Sequence, residues 1–240
     1  MADRTQLYHS GCLTDGWRLF GAHPATENGV HGWWFSVWAP HAAAVSVVGD
    51  FNGWDPSAAP LAPKGEFWQG FLPDLPAYTS YKYAVTGQDG RVRYKADPYG
   101  FHTETRPGTA SKLYDIEHFP WTDGAFRKGK QPVYHRPLNI YEVHLGSWKK
   151  HENGDFLNYR DLAEQLAAYV KDMGYTAVEL LPVTEHPLDD SWGYQCTGYF
   201  APTGDSSTAC TGHSRWNSMP IFFMWATPIV VRSPSSMGSM

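Results

Sequence analysis

Between Gly32 and about Tyr114 the apolar and polar positions alternate in short runs that end in turn residues. In GWWFSVWAP, Trp33, Phe35 and Val37 fall on one face and Trp34, Ser36 and Trp38 on the other. This is the period of two expected of a strand whose faces meet different surroundings. AVSVVGDFNGWDP reads as a strand running into a turn of Asp, Asn, Gly and Pro, and GEFWQGFLP, TSYKYAVTG and GRVRYKADP follow as further strands. Gln88 to Gly90 supplies a hairpin turn between the last two. Short strands at such spacing predict an antiparallel β-sandwich.

From Pro137 the period changes. LNIYEVHLGSW is a short apolar run, and in NYRDLAEQLAAYVKDMGY the residues Leu162, Leu166, Tyr169, Val170 and Met173 recur on one helical face. Asn158 is placed to cap that helix, Asp161 lies in its first turn and Gly174 stops it. TAVELLPV is the next buried strand. Strand, helix and strand in this order predict a right-handed βαβ unit with parallel strands. Beyond Gly204 the pattern is lost. The tail holds no Leu, Lys, Glu, Gln or Tyr, and only PIFFMW and TPIVV have strand-like composition. It reads as foreign to what precedes it, as after a shifted reading frame or a defective gene end, and is expected to be disordered.

Composition narrows the classes of function. The 240 residues leave room for more than one domain, and aromatic residues make up 15%, which suits both a β-rich core and stacking on flat ligands. A net charge of −5 without a basic block argues against nucleic acid and against an anionic membrane surface. Cys12, Cys196 and Cys210 have no metal-like spacing and are odd in number, as expected of free thiols in a reducing compartment. The first residues lack the apolar core of a signal peptide, and the apolar cluster Met219 to Val231 is broken by Pro220 and Pro228. A soluble, cytoplasmic protein is expected, without metal or cofactor.

Candidate chemistry gathers on LPVTEHPLDDSWGYQ, the loop at the C-terminal end of the second parallel strand, where parallel α/β folds carry their sites. Asp189 and Asp190 invite comparison with a glycosidase pair, but such carboxylates flank the scissile bond about 5–10 Å apart and come from different elements. Turn formation, with Asp190 accepting one hydrogen bond from a ligand, suits neighbours on a loop better. Tyr194 could stack under the C–H face of a pyranose, with Trp192 beside it, or pack under the rim. Trp54, with Asn52 and Asp55 around it, is either a sugar platform or a plug at the end of the sandwich. Glu142 and His144 share a face of the first parallel strand and read as a satisfied core pair. No His-x-x-His spacing, phosphate-binding loop or Gly-x-Ser-x-Gly elbow is present.

The stretches LFGAHP, FSVWAPHAAAVSVVGDFNGWDP, YKADPYGFHTETRPGTASKLYD, NIYEVHLGSW and YRDLAEQLAAYVKDMGYTAVELLPVTEHPLDDSWGYQCTGYFAPT together resemble a bacterial glycogen branching enzyme of the α-amylase superfamily. The resemblance runs from about Leu19 to Thr203. It implies an immunoglobulin-like glycogen-binding sandwich over residues 16–115, a linker over 116–137, the incomplete start of a catalytic (β/α)₈ barrel over 138–203, and an unrelated tail over 204–240. It also implies glycogen or linear α-1,4-glucan as partner, Tyr194 against the sugar at the cleavage subsite, and branch formation by transfer of glucan segments. The family's catalytic carboxylates come from later barrel strands that no position here matches, so no catalytic residue is assigned and the chain by itself is expected to be inactive. The alternative is a non-catalytic glucan-binding module.

Overall fold

The computed structural model describes residues 4–117 and 137–203, and the backbone of 229–231. Contacts divide the chain between Asp115 and Ile116 into two units. The predicted linker and tail lie mostly outside the described residues.

The first unit opens with a short helix, α1 (Arg4–His9), followed by eight strands: β1 (Gly21–Glu27), β2 (Val30–Trp38), β3 (Ala42–Gly49), β4 (Ala62–Lys64), β5 (Phe67–Pro73), β6 (Ser80–Gly87), β7 (Val92–Lys95) and β8 (Ser111–Lys112). One antiparallel sheet runs β1-β2-β5-β4. The other runs β3-β6-β7, with β8 taking the rest of the β6 edge. Alternation does what it predicts: Trp33, Phe35 and Val37 from β2 share one core with Val45 and Val47 from β3 and Tyr81 and Tyr83 from β6. Two elements were not legible in the alternation. β1 pairs with β2 through a turn in which Asn28 and Gly29 both have positive φ (50° and 82°), an Asn-Gly signature that would have revealed the hairpin. α1 lays Tyr8 against Phe20, Phe67 and Trp38, and so covers apolar surface that the sheet alone would leave wet.

A polar group is built into this unit. The carboxylate of Asp97 accepts hydrogen bonds from the hydroxyls of Tyr81 (2.6 Å) and Tyr83 (3.2 Å) and from the Tyr99 N–H (2.8 Å). The Ser111 hydroxyl in turn accepts the Asp97 N–H. The chain after β7 is thereby tied to the middle of β6.

In the second unit, β9 (Ile140–Val143) is followed by a short helix α2 (Leu145–Trp148), the main helix α3 (Tyr159–Asp172) and β10 (Ala177–Leu180). β9 and β10 pair in parallel, as expected, with Ala177 opposite Ile140. Asn158 caps α3 by accepting the Asp161 N–H at 2.9 Å, and Gly174 ends it with φ 75°. Leu162, Leu166 and Val170 are buried, whereas Tyr169 and Met173 stay 38% and 54% exposed. The predicted apolar stripe is thus only partly covered, because the core it joins is drawn from two short strands and their loops. β11 (Thr184–Glu185) and β12 (Gly198–Pro202) form a separate antiparallel pair.

On the other edge of β10, β13 (Ile229–Val231) pairs antiparallel, so the three-stranded sheet is mixed although its β9–β10 pair is parallel. The same pairing gives three residues of the supposedly disordered tail a defined place. Glu142 and His144 do not form a buried pair: Glu142 is exposed and His144 half-buried.

Candidate functional site

In the first unit the candidate is the turn that leaves β3. Asp50–Asn52 make a single 3-10 turn, and Gly53 and Trp54 both take left-handed backbone (φ 63° and 61°). A bulky residue seldom adopts that conformation, and it persists only where neighbours enforce it. Here the Trp54 indole N–H donates to Asp50 Oδ1 at 2.8 Å and its backbone N–H to the Gly49 carbonyl at 3.0 Å. Trp54 is half-buried and lies outside the shared core, so it is not the core plug that its residue type would suggest.

Asn52 positions the turn. Its Oδ1 accepts the Gly49 N–H and its Nδ2 donates to the Val47 carbonyl, both at 3.0 Å. These bonds take one of the two donors and one of the two lone pairs of its amide. Asp55 similarly accepts from the Ser57 N–H and hydroxyl, bonds that hold its carboxyl below the usual range. Trp68, by contrast, packs against the core and donates its indole N–H to the Ala39 carbonyl.

Register brings further groups to the face of this sheet turned away from the core. Val48 pairs with Lys82, one residue from the end of β3, while Ala84 pairs with Ser46 on one side and Tyr94 on the other, so Tyr94 lies level with the middle of β3 and across β6 from it. Tyr94 is 49% exposed, and the Lys82 ammonium donates to the Thr109 hydroxyl at 2.6 Å. Sequence reasoning overlooked both, although alternation from the buried Tyr81 and Tyr83 puts Lys82 on the outer face.

In the second unit the loop after β10 forms a rim. Asp189–Ser191 make a 3-10 turn, Trp192 is left-handed (φ 54°) and 59% exposed, and Tyr194 is 69% exposed. Tyr194 thus stands in solvent rather than packing under the rim. The ring of His144 at the end of β9 lies 6.2 Å from that of Trp192. Burial, followed by the charge of His186, lowers the pKa of His144, with Asp189 acting in the opposite sense. Beneath the rim is a cavity of about 440 Å³ whose lining includes His144, His186, Asp189, Asp190 and Trp192, but not Tyr194. The structure therefore brings Asp190 and Trp192 together and leaves Tyr194 outside the cavity.

Gly193 makes this arrangement possible. Its φ is 85°, and a Cβ there would come within 2.2 Å of the Pro182 carbonyl oxygen. Gly193→Ala is expected to displace the rim and raise the susceptibility of the 186–195 loop to protease, with the first unit unaffected. Mapping the first cleavage sites in parent and variant checks this. Asp189 and Asp190, adjacent on one turn, do not flank a common bond. Among the described residues no three His, Cys, Asp or Glu side chains converge on a point that could hold a metal ion.

Comparisons with known proteins agree with this division. Residues 19–100 match the family model Carbohydrate-binding module 48 (Isoamylase N-terminal domain). The chain is 47% identical over 206 residues to the 1,4-alpha-glucan branching enzyme of Halothermothrix orenii and 45% identical over 201 residues to that of Bacillus subtilis. These matches take in 84% and 82% of the chain but only 33% and 32% of the relatives, so the chain spans about a third of their length. In fold it is similar to the GBS pullulanase SAP solved in complex with maltotetraose (TM-score 0.57, 18% identity, 78% of this chain and 29% of that one). A Salmonella typhimurium protein assigned as an alpha amylase gives a TM-score of 0.58 at 21% identity, over 78% of this chain and 28% of its own. The chain therefore carries a carbohydrate-binding module 48 and matches an N-terminal portion of the 1,4-alpha-glucan branching enzymes.

Proposed function

We propose that the first unit is an immunoglobulin-like module that holds α-1,4-glucan chains, glycogen or linear, for an enzyme that transfers glucan segments to form α-1,6 branches. The observation that carries this reading is the Trp54 turn: an aromatic ring outside the core, held by Asp50 in a turn fixed by Asn52, directly after the strand whose sheet carries Lys82 and Tyr94. A pyranose offers an apolar C–H face for such rings and hydroxyls for the ammonium. Each hydroxyl must give up water for its bond, so the gain per contact is modest and binding to a multivalent polymer exceeds that to a short oligosaccharide. Native electrophoresis through gels with and without glycogen tests this. Retardation of the chain, and of residues 1–115 alone, is expected; migration unchanged by glycogen in both would refute it.

In the second unit, the reading takes residues 138–203 as the start of a (β/α)₈ barrel, with Asp190, Trp192 and Tyr194 presented to sugar at the ends of its strands. Retaining transfer requires two carboxylates about 5 Å apart on opposite sides of the bond, and the carboxylates of the rim are neighbours on one turn. The 240-residue polypeptide is accordingly expected to bind glucan without cleaving it, and to work in the cytoplasm, where its polymer is stored. Incubation with amylose, followed by debranching and chain-length analysis, should show no new α-1,6 linkages. The separate core of the first unit favours the second reading, a binding module that works without catalysis. Glycogen retention by residues 1–115 equal to that of the whole chain would support it.

A further inference from the structure

The dipeptide Asn-Gly occurs three times in the chain, at Asn28, Asn52 and Asn153, and each glycine has positive φ (82°, 63° and 89°). Glycine has no Cβ, so its main-chain nitrogen meets little hindrance on the way to the side-chain carbon of a preceding asparagine. Closure of that ring costs the asparagine its amide, which is one reason the residue is heat-labile in proteins. The three sites share this chemistry but differ in what holds them.

At Asn52 both reacting groups are engaged. Its Oδ1 accepts the Gly49 N–H and its Nδ2 donates to the Val47 carbonyl, while the Gly53 N–H donates to the Asp50 carbonyl at 3.3 Å. Asn153 is held in the same way. Its Nδ2 donates to the Asp155 carboxylate at 2.7 Å, its Oδ1 accepts the Asp155 N–H at 3.1 Å, and the Gly154 N–H donates to the His151 carbonyl at 2.9 Å. Ring closure at either site must first break such bonds, which raises its barrier. The turn between β1 and β2 is different. Asn28 and Gly29 are both exposed, and nothing stands within 4 Å of where a Cβ on Gly29 would lie. Among the described residues neither the Asn28 amide nor the Gly29 N–H has a hydrogen-bond partner.

We propose that Asn28 is a site of spontaneous deamidation in the folded chain, where Asn52 and Asn153 keep their amides. The Gly29 nitrogen gives its proton to base and bonds to Asn28 Cγ. The Cγ–Nδ2 bond breaks, and the amide leaves as ammonia with a proton taken from water. Water then opens the resulting succinimide at one of its two carbonyls, giving an aspartyl or an isoaspartyl residue. One water is consumed and one ammonia released, and nothing is oxidised or reduced. Either product adds a negative charge to the hairpin, and the isoaspartyl form also lengthens the main chain of a turn that has only two residues between Glu27 and Val30. The bonds that shape the Trp54 turn thus also preserve it, although it contains the same dipeptide.

The test is to age the full chain in mildly alkaline, heavy-oxygen water and to follow each Asn-Gly peptide by mass spectrometry. Incorporated heavy oxygen marks the hydrolytic step. Asn28 is expected to convert about ten-fold faster than Asn52 or Asn153, the factor for one to two hydrogen bonds that must open first. In urea-unfolded chain the three sites should convert at similar rates. An Asn28 that keeps its amide in the folded chain but loses it in urea would overturn the proposal. So would Asn52 or Asn153 converting as fast as Asn28 in the folded chain. A ten-fold preference for Asn28 that persists in urea would overturn it too, since the contrast would then lie in the neighbouring sequence and not in the fold.

Discussion

Asp97→Ala is expected to destabilise the first unit by about 3–5 kcal/mol, beyond the roughly 0.5–3 kcal/mol of most single substitutions. Two phenol hydroxyls, on Tyr81 and Tyr83, each 1% exposed, would lose the carboxylate that accepts from them, and so would the Tyr99 N–H. Each buried group left unpaired costs about 1–3 kcal/mol, and repacking around the gap limits the sum. Denaturant unfolding of residues 1–115 measures the loss; a change under about 1 kcal/mol would show that the network is not structural. The same carboxyl gives a pH dependence. Burial raises its pKa above the ordinary carboxylate value, against the lowering effect of its hydrogen bonds from Tyr81, Tyr99 and Tyr83. The folded state therefore holds the Asp97 proton more tightly than the unfolded chain does. The associated stabilisation is fully present below the unfolded value of about 3.9 and is lost as pH rises through the raised folded pKa. Asp97→Asn cannot titrate, so its penalty relative to the parent should be greatest near pH 4 and shrink as pH rises through that window.

Trp54→Ala should abolish most glycogen retardation, lowering apparent affinity at least ten-fold, while unfolding stability changes by about 1 kcal/mol or less. The contrast follows from placement. Truncating a large core aromatic costs about 3–5 kcal/mol, but Trp54 lies outside the core and is held at the surface by one indole bond to Asp50. Alanine at φ 61° keeps the strained backbone without the ring, so the turn gains nothing in exchange. Tyr94→Ala should lower retention by a smaller factor, since that ring stands on the exposed edge strand β7. A Trp54 variant that melts early would return the residue to the core, and one that stays folded and still binds would displace the glucan surface elsewhere.

Much of this was written locally. The period of two in GWWFSVWAP assigned Trp33, Phe35 and Val37 to the core, and the residues between Gly87 and Val92 made the turn expected of them. The Asn158 cap, the Leu162–Leu166–Val170 row and the Gly174 stop defined α3, and the order of strand and helix defined the parallel pair. These features depend on neighbours one to four residues apart, which is the range over which backbone geometry and side-chain periodicity act. The aromatic and polar residue types around Trp54 and along SWGYQ were legible for the same reason.

Their roles were not. Asn52 and Asp55 look alike as ligand groups until the turn closes and directs their side chains to Gly49, Val47 and Ser57. Lys82 reaches the end of β3, and Tyr94 the level of Ser46, only through register between strands far apart in the chain, which no local pattern encodes. Asp97 stands at the end of GRVRYKADP with no local sign of its role, yet the fold brings it within hydrogen-bonding reach of Tyr81 and Tyr83. Thr203 acquires an unmet hydroxyl only because β12 carries it back beneath the loop that follows β10. Sequence by itself determined the apolar face of each element, though not how much of it is covered, as the exposed Tyr169 and Met173 of α3 show. The tertiary structure alone decided which polar atoms are satisfied, because hydrogen-bond satisfaction is set by what long-range folding places within about 3 Å.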